Sequence, residues 1–194
     1  MSLQIVVSSA PMPGETLNGD AVVVRESDEL TLLAVVDALG HGEKAHEVAA
    51  LAVKALQQAP LHEGIERIMH GLDAALRGTR GAAATVCLLQ GGELSGCGVG
   101  NVEMRVRGAH VPFTLSPGVL GRQVRNYRFF RGTFSGNARL VMFSDGLAGR
   151  FALTDFDRFS ARAACDALIE KFSRGSDDVT VLVADAGGTG ESRR

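Results

Sequence analysis

The chain has 194 residues, 45% hydrophobic and 22% charged, enough to bury the core of one ordinary globular domain. A net charge of −2 gives no basic field for nucleic acid or an anionic membrane, and no apolar run reaches the roughly 20 residues that span a bilayer. Three scattered cysteines with no CxxC pair read as reduced packing residues, and Met-Ser-Leu-Gln opens no signal-peptide pattern, so the expectation is a cytoplasmic protein, acting as a monomer.

Residues 3–8 form the first expected strand, followed by a loop with Pro11, Pro13 and Gly14. Asn18-Gly19-Asp20 turns into a strand over 21–25, and residues 26–29 are a polar turn. The apolar run 30–36 reads as a buried strand, so the two strands form a hairpin. Folded about residues 27–30, that hairpin sets Asp20 opposite Asp37. Apolar positions recurring at helical spacing predict helices over 43–58 and 64–77. Residues 82–89, 94–99, 102–106 and 110–115 read as a β meander with Gly-rich turns. A Pro/Gly loop follows over 116–126, then a strand over 127–134.

The run Leu140-Val-Met-Phe-Ser144 reads as another buried strand that ends at an acid and a glycine, Asp145-Gly146. Ser160 is placed to cap a third helix. Asp177-Asp178 opens a last strand over 179–184. The expected division is one domain over 1–186, with a polar, Gly-rich, disordered tail at 187–194. Strands, paired helices, more strands and a late helix indicate an α+β fold of stacked antiparallel sheets. A doubly wound parallel sheet is excluded by the near absence of helical pattern between 82 and 134.

Asp37 and Asp145 close their strands, whereas Asp20 and Asp177-Asp178 open theirs. In antiparallel pairs the end of one strand lies beside the start of its neighbour, so all five acids can gather at one edge. Like charges about 4 Å apart repel by about 4 kcal/mol at an effective dielectric near 20, a cost that divalent cations remove. Oxygen donors without nearby cysteine favour Mg²⁺ or Mn²⁺ over zinc. The alternative is a set of unrelated turn and cap aspartates. Two such ions generate a nucleophilic water near neutral pH and neutralise phosphate oxygens, chemistry common to phosphatases, nucleases and some peptidases. The lack of a basic stripe argues against a nuclease.

The ordered set Asn18-Gly-Asp20, Val36-Asp-Ala-Leu-Gly-His-Gly42, Arg80-Gly-Ala-Ala-Ala-Thr85, Gly98-Val-Gly-Asn-Val102, Phe143-Ser-Asp-Gly146 and Asp177-Asp-Val-Thr180 resembles the type 2C metal-dependent protein phosphatases. Within them it is most similar to the SpoIIE-like bacterial branch that includes the stressosome phosphatases. The likeness runs from about residue 18 to residue 184 and implies two stacked antiparallel sheets flanked by helices, an α-β-β-α sandwich. It further implies hydrolysis of phosphoserine or phosphothreonine in proteins by a hydroxide bridging two Mn²⁺ or Mg²⁺ ions. Carried across by position, Asp37 bridges both ions, the Ala38 carbonyl binds one of them, and Asp145 and Asp177 hold the other. Asp20 acts through metal-bound water, Asp178 has a supporting role, and His41 is a candidate general acid for the leaving serine oxygen. The implied partners are phosphorylated stressosome scaffold proteins of the STAS-domain type. A phosphorylated antagonist of an anti-sigma factor, or a phosphoprotein-binding module with little turnover, are the alternatives.

The chain departs from the family pattern at three places. The turn after Asp37 reads Ala-Leu-Gly-His, which displaces His41 by about two positions. Residues 77–80 are Arg-Gly-Thr-Arg, with no acid for a third ion. No early arginine matches the phosphate-binding one of the eukaryotic enzymes. Among remaining features, Gly96-Cys-Gly-Val-Gly100 precedes an alternating stretch and not a helix, so it reads as a hairpin turn and not a dinucleotide loop. Arg122, Arg125, Arg128 and Arg131 read as a solvated strand face or as a docking cluster for an acidic phosphoprotein.

Overall fold

The computed structural model describes residues 2–27 and 29–187. Two antiparallel sheets are stacked face to face, with helices on both outer faces. The first sheet contains β2 (Asp20–Ser27), β3 (Leu30–Ala38), β4 (Ala82–Gln90), β5 (Glu93–Val99) and β9 (Phe129–Thr133), in that spatial order. The second runs β1 (Ser2–Ala10), β11 (Val179–Gly187), β10 (Arg139–Phe143) and β6 (Glu103–Arg107). A short hairpin, β7 (Gly118–Val119) with β8 (Gln123–Val124), stands apart. The helices are α1 (Glu43–Gln58), α2 (Gly64–Ala75) and α3 (Ala161–Phe172).

Side-chain alternation explains the layering. In β3, Leu33 and Val35 point between the sheets, where they meet Cys87, Leu94, Leu140, Met142 and Leu182. Leu32, Ala34 and Val36 point the other way, onto Val48, Ala52 and Leu56 of α1 and Ile68 and Leu72 of α2. Both faces of β3 are therefore buried, which is why its sequence is a continuous apolar run. On the far side, Val141, Phe143, Val181 and Val183 pack against Ala164, Cys165 and Leu168 of α3. The Ser160 side chain accepts from the Ala163 N–H and caps α3, as its position in the sequence indicates.

Two expectations fail in the middle of the chain. The stretch 82–115 is not a meander: β5 stays in the first sheet, while β6 crosses to the second and pairs with β10. Alternation says which face of a strand is buried but not which sheet holds it. A buried hydrogen bond from Thr85 Oγ1 to the Val102 carbonyl, 2.6 Å, ties the crossing segment to β4. Residues 110–115 form no strand. The Phe113 N–H is spent on the Val111 carbonyl, 2.8 Å away and two residues back, and Phe113 stands edge-on to Phe130. The loop expected at 116–126 contains the small β7–β8 hairpin. Residues 188–194 of the expected tail lie outside the described residues. Among the described residues, no helix is long and apolar enough to cross a membrane.

Candidate active site

The hairpin register carries the first pair of acids. Asp20 opens β2 directly opposite Asp37 on β3, as the turn position requires. In the second sheet, β10 and β11 are antiparallel with Phe143 opposite Val181, so Asp145 emerges just past β10 where Asp177 and Asp178 lead into β11. The pair and the trio come from different sheets and meet at one end of the sandwich.

Ser144 joins them. Its Oγ donates to Asp20 Oδ2 at 2.6 Å and accepts from the Thr180 N–H at 2.9 Å, both within the buried interior. Asp178 anchors loops: Oδ1 accepts from the Met12 N–H and Oδ2 from the Gly19 N–H, each at 2.8 Å. Asp145 Oδ2 accepts from Asn101 Nδ2 at 2.6 Å, and Asp177 Oδ1 accepts from the Asp178 N–H at 2.9 Å. Among the described residues, Asp37 alone of the five has no hydrogen-bond donor on its carboxylate.

The electrostatics record the crowding. Burial pushes the Asp37 carboxyl up to about 8, with further increments from Asp20, Asp145, Asp177 and Asp178. Asp20 is raised to about 6 by burial, against the lowering effect of the Ser144 hydroxyl. Burial also lifts Asp177, opposed by the Asp178 N–H and more weakly by the nearby His41. All five acids thus share one field. Among the described residues, however, no group of three acidic, histidine or cysteine side chains converges into a ready cation cage. The donor chemistry still fits a hard divalent cation, since the carboxylates supply only oxygen and all three cysteines are buried elsewhere. The Ala38 N–H is used by the Gly19 carbonyl at 3.1 Å, which pins the turn after Asp37 to the loop before Asp20.

His41 lies on the exposed side of that turn, its Nδ1 2.8 Å from Glu15 Oε1. Glu15, Asn101 and Ser144 carry no role in the sequence reading, although Asn101 and Ser144 fall inside quoted motifs. Glu15 had no signal at all.

An antiparallel sandwich between helices is the fold of the type 2C protein phosphatases. The chain belongs to the SpoIIE family, whose model, described as stage II sporulation protein E, matches residues 27–187. It is 26% identical over 151 residues to phosphoserine phosphatase RsbX of Bacillus subtilis (strain 168), covering 75% of each protein. A structure from work on the bacterial stressosome, as a modular system adapted to control secondary messenger signalling, matches with a TM-score of 0.87 at 28% identity, over 95% of this chain and 100% of the other. RsbX in complex with magnesium matches with a TM-score of 0.84 at 22% identity, over 94% of each chain.

Proposed function

We propose that this chain is a Mn²⁺- or Mg²⁺-dependent protein serine/threonine phosphatase whose substrates are phosphorylated stressosome proteins of the STAS-domain type. The observation that carries the reading is the meeting of five carboxylates from two sheets around Asp37, whose carboxyl is raised to about 8 by burial and by the other four. A buried acid array that costs this much is expected where a cation offsets it. The likeness to RsbX, a phosphoserine phosphatase, and to a structure from stressosome work supports the reaction and the partner class.

In this reading Asp37, whose carboxylate has no protein donor among the described residues, would hold divalent cation together with the Ala38 carbonyl, Asp145 and Asp177. The ions, when bound, supply an acidified water as nucleophile and neutralise the phosphate oxygens. Asp20 is oriented by Ser144, which donates to Oδ2, and its other oxygen would take a hydrogen bond from water held in the site. Asp178, with each oxygen committed to a backbone N–H, shapes the loops at Met12 and Gly19. His41 is oriented through Nδ1 by Glu15, which leaves Nε2 to protonate the leaving serine oxygen.

The test is phosphate release from a phosphoserine STAS protein with Mn²⁺ or Mg²⁺ and with chelator. Release should need the metal, and Asp37→Asn should abolish it while the circular dichroism spectrum is kept. A fully active Asp37→Asn variant would sink the assignment, and stoichiometric phosphopeptide binding without release would replace the enzyme by a binding module.

A further inference from the structure

The turn that follows Asp37 carries a cation that nothing in the acid array uses. Arg80 precedes β4 at the same end of the first sheet, where the Leu39 N–H donates to the Gly81 carbonyl at 3.0 Å. Its guanidinium lies across the Leu39-Gly40 peptide: Nη1 is 3.5 Å from the Leu39 carbonyl, and a Cβ built on Gly40 would stand 2.8 Å from Nη1. Gly40 has a φ of 87°, so the turn both tolerates the glycine conformation and leaves the arginine room to lie flat on it. Arg80 is solvent-exposed, and among the described residues no carboxylate is within ion-pair reach of it. Among the described residues its one side-chain hydrogen bond, to the Leu39 carbonyl, is at the long limit of such contacts.

A guanidinium lying on the turn that follows Asp37 would be expected to pair with an acid if its role were to relieve repulsion. It pairs with none and keeps most of its five donors free. Planar, bidentate donors of that kind match phosphate oxygens, which carry about two negative charges on a phosphomonoester. We propose that Arg80 is the substrate-phosphate anchor of this site, gripping non-reacting phosphoryl oxygens from the side of the Leu39-Gly40 turn. The chain then has no need of an arginine early in the sequence, and the Arg-Gly-Thr-Arg segment that offers no acid instead offers this cation. The proposal rests on the phosphatase reading above.

The experiment compares the wild type with Arg80→Met, which keeps the stem, and Arg80→Lys, which keeps the charge without the fork. Three quantities are measured: kcat and KM on a phosphoserine peptide with Mn²⁺, calorimetric affinity for inorganic phosphate, and the shift of the unfolding midpoint by Mn²⁺ alone. Loss of a charge-assisted phosphate contact should weaken phosphate binding and raise KM by about 10- to 100-fold in Arg80→Met, less in Arg80→Lys. The Mn²⁺-induced midpoint shift should stay as in the wild type. Unchanged phosphate affinity and KM in Arg80→Met overturn the proposal. So does a loss that follows a reduced Mn²⁺ shift, because Arg80 would then only brace the turn. A wild type with no metal-dependent release from any phosphoprotein, yet with Arg80-dependent phosphate binding, would defeat the phosphatase reading and leave the anion site standing.

Discussion

Asp37 sits part-buried beside four other carboxylates, and its proton affinity has a consequence for stability. Between its ordinary value of 3.8 and its raised value of about 8, the folded protein holds a proton that the unfolded chain has released. Stability of the metal-free protein therefore falls as pH rises through that window. Asp20, raised to about 6, adds to the fall in the lower half. Urea unfolding with chelator present should give midpoints that decline from pH 5 to pH 8, with a shallower decline in Asp37→Asn. Midpoints that climb over this range would contradict the burial of the acid. Divalent cation should flatten the dependence, since it takes the place of the proton.

Among the elements, the approach of β10 and β11 is the tightest constraint on the acids. A Cβ on Gly146 would collide with the Asp178 carbonyl oxygen, so Gly146→Ala must move the Asp145 turn away from the start of β11. Overpacking of this kind costs about 1–3 kcal/mol, and metal-dependent phosphate release should fall far more than stability does. An active variant with a wild-type midpoint would show that the turn is slack. The same elements show how far the sequence reaches. The opposition of Asp20 and Asp37 was legible because period-two patterning and one polar turn fix a hairpin register. The crossing of β6 into the other sheet was not, since its alternation fits either sheet equally. Nor was Ser144 as the partner of Asp20, because a hydrogen bond between residues 124 apart in the chain leaves no local pattern. The extended look of residues 110–115 misled for a related reason. Their backbone is spent on the local turn at Phe113, and the next residue, Ser116, donates its N–H to the Gly98 carbonyl at 2.7 Å.

For the whole molecule, cation binding should act as a ligand for the folded state alone. Free Mn²⁺ at a hundred times its dissociation constant would stabilise by about 2.7 kcal/mol, readable as an unfolding midpoint that rises with metal and drops with chelator. No dependence on metal would remove the acid edge as a binding site. The sandwich adds a mechanical reading of this linkage. Asp20 and Asp37 belong to one sheet, while Asp145, Asp177 and Asp178 belong to the other, so the apolar layer around Leu33 and Met142 is the spacer that sets their separation. Leu33→Ala in that layer and Leu56→Ala beneath α1 both truncate fully buried leucines and should each cost about 2–5 kcal/mol. Only the first thins the spacer, so only the first should weaken Mn²⁺ affinity measured by calorimetry on the folded variant. Equal affinities in the two would show that the gap between the jaws is set at the acids themselves. If they differ, the interior of the sandwich works as a calliper, and the bite of the site becomes a gauge of core thickness far from any charge.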